Sequence, residues 1–96
     1  MVLNIDIHNL IPLIGKINII DIRQPLNYNN NHIPGAVNIS AKDLKENPSK
    51  YLDKNKKYYI YCKKGINSYK ICYYLNVLGY NTVNIKGGYE SWILGK

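Results

Sequence analysis

One cysteine at the junction of a strand and a helix constrains the fold more than any other feature of this chain. Residues 58–61 read Tyr-Tyr-Ile-Tyr, and such aromatic and β-branched residues are typical of a buried strand. Cys62 and a short segment containing Gly65 follow, and then apolar residues recur at helical spacing up to Gly79, a residue that often ends helices. These apolar residues are Ile71, Cys72, Leu75 and Leu78. A thiol at the carboxyl end of a strand lies where open α/β sheets hold their ligand sites.

The loop after this cysteine favours a negative charge. The first turn of a helix leaves backbone N–H groups without partners and carries a partial positive charge. Gly65 can adopt backbone angles that turn successive N–H groups inward, and Lys63 and Lys64 add positive potential. We therefore expect the Cys62 thiol to have a pKa below its free value of about 8.5. The alternative is an inert cysteine that packs as a small hydrophobic residue, and the lysines and the helix start favour the reactive thiol.

Apolar patterning elsewhere predicts alternating strands and helices. Further strands are predicted at residues 2–5, 18–22, 37–39 and 82–85. Helices are predicted at residues 40–46, with Ser40 as the N-cap, and after Gly88. Another helix should begin at Asp6 and run to about Ile14, with Ile7, Leu10, Ile11 and Ile14 on one face. This order predicts an α/β fold, a single domain over residues 1–96, with a small parallel sheet of about five strands and helices on both faces.

Asp21 places a carboxylate inside a predicted buried strand. Such a group must be paired or hydrogen-bonded, because an isolated buried charge is costly. Arg23 follows two residues later and is the candidate partner. We expect Asp21 and Arg23 to have a structural role that supports the site.

The formal net charge of +7 favours anionic small molecules or an acidic partner. The lysines form no continuous basic run, so a solvated surface is favoured over nucleic-acid binding. Two cysteines make no disulfide framework, and His8 and His32 show no metal-ligand spacing with them. No apolar run approaches the ~20 residues of a membrane span, and the start of the chain does not read as a signal peptide. We therefore expect a cytoplasmic protein without metal, cofactor or membrane contact.

Three motifs resemble those of rhodanese (thiosulfate sulfurtransferase) domains. The first is Cys62-x-x-Gly65-x-x-Ser68, and the second is Asp21-Ile-Arg23 followed by His-Ile-Pro-Gly-Ala from His32. The third is a Gly-Gly pair at residues 87–88 followed by a predicted helix with Trp92. The loop at residues 62–67 has six residues, which resembles the sulfur-handling members. Phosphatases and arsenate reductases of this fold have one residue more, so these activities are disfavoured.

The resemblance implies a two-step transfer of sulfane sulfur. Cys62 would take sulfur from thiosulfate or a related anionic donor, hold it as a persulfide, and pass it to cyanide, a thiol or a protein acceptor. The loop would bind substrate through its backbone amides and lysine charges, and its members are Lys63, Lys64, Gly65, Ile66, Asn67 and Ser68. Asn67 stands where family loops frequently have Arg, and this departure weakens the case for thiosulfate preference. His32 is expected to fix its own loop by hydrogen bonds.

Two alternatives to a free-standing sulfurtransferase stay open at this point. One is a persulfide carrier that hands sulfur to a partner enzyme and turns over thiosulfate poorly. The other is a non-enzymatic interaction module of the same fold, which the presence of Cys62 disfavours.

Overall fold

A computed structural model describes all 96 residues and shows a five-stranded sheet with helices on both faces. The strands lie in the order β1-β5-β4-β2-β3, and every neighbouring pair is parallel. Their bounds are Leu3–Ile5 (β1), Asn18–Asp21 (β2), Ala36–Asn38 (β3), Lys57–Tyr61 (β4) and Asn81–Ile85 (β5). The predicted fold class is confirmed, and the carboxyl ends of the three central strands meet at one edge of the sheet.

Six helices connect the strands and close the chain. Their bounds are Ile7–Leu10 (α1), Pro25–Asn30 (α2), Ala41–Glu46 (α3), Pro48–Tyr51 (α4), Ile66–Val77 (α5) and Gly88–Leu94 (α6). Helix α3 begins as predicted, because the Ser40 side chain accepts a hydrogen bond from the Asp43 amide at 3.1 Å. Helix α2 had no counterpart in the sequence expectations. It starts with Pro25 in its first turn and buries no residue, so it carries no apolar periodicity.

Two apolar layers cover the two faces of the sheet. Alternate strand residues point to opposite faces, so Ile20 and Ile60 enter one layer and Ile19 and Tyr59 the other. Helices α3 and α5 cover the first face, through Leu44, Ile71, Cys72 and Leu75. Helices α1 and α6 cover the second face, through Ile7, Leu10, Tyr89 and Trp92. Parallel strands buried on both faces explain the continuous apolar runs of β2 and β4.

The first helix is shorter than predicted. Asp6 caps it, accepting from the Asn9 amide at 3.0 Å, but the α-helix ends at Leu10 and a 3₁₀ turn covers Ile11–Leu13. Pro12 explains the change, because proline has no N–H to donate and its ring clashes with the preceding helical turn. Ile11 was predicted on the same face as Ile7 and Leu10, but it is 48% exposed whereas those two are fully buried, so this part of the prediction was wrong.

The end of α5 also differs from the expected pattern. Leu78 was predicted on the buried face but is 40% exposed. Gly79 has a φ of 97°, its amide bonds to Asn76 O, and the Tyr80 amide bonds back to Leu75 O. This left-handed helix ending turns the chain so that Tyr80, at 8% exposure, takes the buried position.

Smaller shifts affect the strand bounds. The second strand ends at Asp21, one residue before Ile22, and the third covers Ala36–Asn38 in place of 37–39. No helix of the chain has both the length and the apolar character that crossing a bilayer requires.

Candidate active site

Cys62 follows β4 directly, and its sulfur is surrounded by hydrogen-bond donors. Its Sγ accepts from the Gly65 amide at 3.1 Å and from the Ser68 amide at 3.4 Å. The Ser68 hydroxyl oxygen lies 3.3 Å from the same sulfur. Cys62 is 7% exposed, so the thiol lies mostly inside the protein, with these donors on its inner side. The chain reaches this geometry because the loop curls between β4 and the first turn of α5.

Glycine is required at two places that hold the loop. Gly65 has a φ of 87°, which L-residues rarely adopt, and it directs its amide at the sulfur. A Cβ atom on Gly88 would lie 2.8 Å from the Lys63 carbonyl oxygen and 2.9 Å from the Gly65 nitrogen. The Tyr89 amide donates to Cys62 O at 2.9 Å. The start of α6 therefore holds the loop in place through a backbone hydrogen bond and close backbone packing at Gly88.

The pKa of the Cys62 thiol is lowered by hydrogen bonds despite its burial. Burial alone is the largest effect and raises this pKa, because it disfavours the charged form. The Ser68 hydroxyl and the amides of Ser68, Gly65 and Lys64 act in the opposite direction and together outweigh burial. The site therefore favours a thiolate.

A buried polar chain beneath the thiol went unnoticed in the sequence. The Ser68 hydroxyl donates to Asn84 Oδ1 at 2.6 Å, and Asn84 Nδ2 donates to Asn4 Oδ1 at 2.9 Å and to Gly65 O at 3.2 Å. A hydroxyl has one proton, so Ser68 cannot donate to Asn84 and to the Cys62 sulfur at once. While the hydroxyl donates to Asn84, the amides are the donors left to the sulfur, and a hydroxyl turned towards the sulfur adds one more. The only signal in the sequence is Asn84 itself, an amide side chain between the apolar Val83 and Ile85.

The exposed members of the loop surround the mouth of the site. A cavity of about 270 Å³ is lined by Cys62 together with Lys63, Lys64, Ile66 and Asn67. Gly65 and Ser68 differ from these four, because they contact the sulfur from the protein side and Ser68 is fully buried. Of the six predicted loop residues, four therefore face the cavity and two support the thiol.

Asp21 and Arg23 form the buried pair that the sequence suggested. The Asp21 carboxylate is fully buried and accepts from the Arg23 amide at 2.8 Å and from its guanidinium at 2.7 to 3.1 Å. The guanidinium also donates to Asn31 O at 2.7 Å and lies 3.9 Å from the centre of the Tyr89 ring. Burial opposes the charge of Arg23, but its bond to Asp21 leaves the guanidinium pKa raised. The charge is thus locked to a carboxylate.

Arg23 still approaches the site. It lines a second cavity of about 290 Å³ with Cys62, Lys63 and Asn67. Its side chain is only 8% exposed and its charge is already paired. Arg23 therefore does not supply the free positive charge that an arginine in place of Asn67 would bring to the loop.

His32 contacts its own loop. Its Nδ1 lies 2.9 Å from Tyr28 O, and its ring stacks on the Tyr28 ring at 3.9 Å between centroids. This agrees with the expectation that the imidazole ties the loop down.

Comparison with known proteins identifies the family and the fold of this chain. Residues 7–94 match the family described as Rhodanese-like domain. The chain belongs to the rhodanese-like domain family. The Bacillus subtilis protein YtwF is 38% identical over 74 residues, which are 77% of this chain and 71% of YtwF. The Escherichia coli thiosulfate sulfurtransferase PspE is 32% identical over 87 residues, covering 90% of this chain and 84% of PspE.

A solved structure agrees with the architecture of this rhodanese-like domain. The rhodanese-related protein from Thermoplasma volcanium superposes with a TM-score of 0.88 at 31% identity. The match covers 97% of this chain and 92% of the other. The resemblance read from the three sequence motifs is therefore confirmed at the level of family and fold.

Proposed function

We propose that this rhodanese-like domain is a sulfurtransferase that moves sulfane sulfur through a persulfide on Cys62. One observation carries the proposal: the Cys62 sulfur accepts hydrogen bonds from two backbone amides, in a loop that also contains two lysines. Such a site stabilises a sulfur anion before and after it gains a second sulfur. The name of the relative PspE, a thiosulfate sulfurtransferase, supports the same reaction class.

The first half-reaction uses the thiolate as nucleophile. Cys62 attacks the outer sulfur of thiosulfate or a related donor, a new S–S bond forms, and the S–S bond of the donor breaks. Sulfite leaves with the electron pair, and Cys62 carries a persulfide. The amides of Gly65 and Ser68 stabilise the charge throughout, and Lys63 and Lys64 attract the donor anion. A general base is unnecessary, because the amides already favour the thiolate.

The second half-reaction regenerates the thiolate. Cyanide, a small thiol or a protein thiol attacks the outer sulfur, and the bond to Cys62 breaks with its electron pair remaining on Cys62. Asn67 offers an amide at the mouth of the site and no charge, so donor capture depends on the two lysines. The Asp21–Arg23 pair has a structural role: the Arg23 guanidinium packs on the ring of Tyr89. Neither side chain takes part in a chemical step.

A persulfide carrier that serves a partner enzyme is the second candidate. Apolar side chains at the mouth favour it, because Ile66 is 61% exposed and lines the cavity at Cys62. Ile93, which lines a neighbouring cavity with Lys63, is 64% exposed. Both candidates share the Cys62 persulfide and differ in the acceptor.

Intact mass spectrometry after thiosulfate treatment tests the shared step. We expect a gain of one sulfur atom that a reductant removes, followed by thiocyanate formation when cyanide is added. Persulfide without thiocyanate would favour the carrier. A protein that gains no sulfur from thiosulfate or from a polysulfide donor would overturn both candidates and leave the interaction module.

A further inference from the structure

A further cavity, lined by lysines and separate from the cavities described above, lies beside the Cys62 site. It has a volume of about 450 Å³ and opens between the start of α5 and the carboxyl ends of β5 and β1. Lys64 and Ile66 line both this cavity and the one at Cys62, whereas Lys70 and Lys86 line only this one. Cys62 itself is absent from its lining. We call it the lysine cavity.

The three lysines of this cavity come from three different segments and have no acidic partner. Lys64 lies in the loop, Lys70 on α5, and Lys86 directly after β5. No Asp or Glu lines the cavity, and the single ion pair of the protein joins Arg23 to Asp21. Three ammonium groups around one concave surface repel one another unless an anion lies between them. The occupant that complements this charge carries more than one negative charge.

The floor of the lysine cavity is polar and fixed. Asn84 is 2% exposed, and its two amide atoms bond to Ser68, Asn4 and Gly65. Because Oδ1 of Asn4 accepts from Asn84, Nδ2 of Asn4 is the atom left to donate to a ligand. Tyr69, 43% exposed, adds an aromatic side to the cavity. A small organic molecule with anionic oxygen groups fits this cavity, because its oxygens can accept from the amide and the ammonium groups while its carbon atoms contact the apolar wall.

We propose that the lysine cavity binds the anionic groups of a small polyanionic thiol, which is the acceptor of sulfur from Cys62. The inference rests on the proposed function and names the acceptor class for it. The donor anion occupies the cavity that contains Cys62, and an acceptor anchored in the adjoining lysine cavity can approach the outer sulfur once sulfite has left. Lys64 and Ile66 line both cavities, so the two spaces adjoin, and an anchored acceptor can direct its thiol past these exposed side chains.

The transfer balances without a further reagent. The acceptor thiolate forms an S–S bond to the outer sulfur of the persulfide, and the S–S bond to Cys62 breaks. The electron pair stays on Cys62, which returns to the thiolate that its amides stabilise. The acceptor leaves as a persulfide, and no net oxidation or reduction of the pair occurs.

A matched pair of acceptors tests the inference. The Cys62 persulfide is formed with thiosulfate, freed of excess donor, and mixed with mercaptosuccinate or with the neutral thiol 2-mercaptoethanol. The rate of persulfide loss is followed by intact mass for the wild type, for Lys70→Ala/Lys86→Ala, and for the control Lys16→Ala/Lys56→Ala. All four lysines are exposed, and the control pair lines no cavity. The ratio of the two rates is compared between proteins, so the intrinsic reactivity of each thiol cancels.

We expect the ratio of the mercaptosuccinate rate to the 2-mercaptoethanol rate to fall about tenfold in Lys70→Ala/Lys86→Ala, because two of three charges are lost. The control variant should keep the wild-type ratio. An unchanged ratio in a protein that forms the persulfide would overturn the acceptor site alone. Failure to form the persulfide in wild type would overturn the proposed function and the acceptor assignment with it.

An NMR titration with succinate examines the cavity without sulfur chemistry. Succinate should shift the side-chain amide of Asn4 and the backbone amides of Lys86 and Gly87 in the reduced wild type. The same titration should give no saturable shifts in Lys70→Ala/Lys86→Ala. Shifts spread over the whole surface, or equal in both proteins, would show that no anion site exists there.

Discussion

The two cysteines of this protein are both buried but have opposite chemistry. Cys62 is 7% exposed and Cys72 is fully buried, and they stand ten positions apart on the loop and on α5. Burial raises the pKa of Cys72 to about 11, although a hydrogen bond with the Thr82 side chain acts in the opposite direction. The Ser68 hydroxyl and the backbone amides around Cys62 reverse the effect of burial and lower the pKa of this thiol. Exposure therefore does not distinguish a reactive thiol from an inert one, whereas the number of donors aimed at the sulfur does.

Backbone position explains why only one cysteine has donors. Cys62 lies outside regular structure, at a place where the free N–H groups of α5 point back at it. Cys72 lies inside α5, where neighbouring N–H groups are used by the helix itself. Its surroundings are Ile71, Leu75 and other core residues.

The largest expected difference between the two thiols is in activity. Cys62→Ser keeps the size of the side chain but replaces the thiol with an alcohol, which the loop cannot ionise near neutral pH. We expect no mass gain with thiosulfate and no thiocyanate from this variant. Cys72→Ser should retain both activities and lose only stability, because it places a hydroxyl in the core. Activity that follows Cys72 would contradict the assignment of the site.

Alkylation by iodoacetamide should separate the two thiols next. Only thiolate reacts, so the rate at each site rises with pH up to its own pKa and then levels off. For Cys62 the lowered pKa moves this plateau below that of a free thiol, whereas the Cys72 rate should still rise towards pH 11. Near pH 7 we expect Cys62 to react at least about a hundredfold faster. Peptide mapping after timed labelling measures both rates, and equal labelling in folded protein would refute the comparison.

Much of this environment could be predicted from the sequence because it depends on neighbours along the chain. The loop donors lie within six residues of Cys62, and the periodicity that predicted α5 is also local. The shortened α1 could have been predicted from Pro12, whose missing N–H prevents a longer helix. Helix α2 could not, because none of its residues is fully buried and it leaves no apolar pattern.

The supporting side chains depend on contacts between distant segments. Asn84 bonds to Asn4, 80 positions away, only because β1 pairs with β5 at the edge of the sheet. No local pattern encodes that pairing. From the sequence we assigned Lys63 and Lys64 the same role. In the structure only Lys64 of these two lines the lysine cavity. That difference arises from the turn of the loop, which the residue types do not determine.

Ser68→Ala asks whether the amides or the hydroxyl distinguish Cys62 from Cys72. The variant removes the buried donor to Asn84, so the free energy of unfolding should fall by about 1–3 kcal/mol. The Cys62 pKa should rise relative to wild type, because the hydroxyl is the largest of the effects that lower it, but it should remain below that of a free thiol, since both amides stay in place. Denaturant unfolding and the pH profile of alkylation measure the two effects, with the exposed Ser49→Ala as control. An ordinary thiol pKa in Ser68→Ala would show that the hydroxyl holds the thiolate.

The smallest expected effect concerns the charges at the mouth of the site, which Cys72 lacks. Lys63→Ala/Lys64→Ala leaves the amide donors unchanged, so the persulfide should still form. The kcat/KM for thiosulfate should fall a few-fold, and its decrease with added salt should become shallower, because exposed charges act by attraction that salt screens. Steady-state assays over a range of ionic strength, with Lys16→Ala/Lys56→Ala as control, measure both. If the double variant keeps the wild-type salt dependence, the lysines take no part in donor capture, and the amides alone separate Cys62 from Cys72.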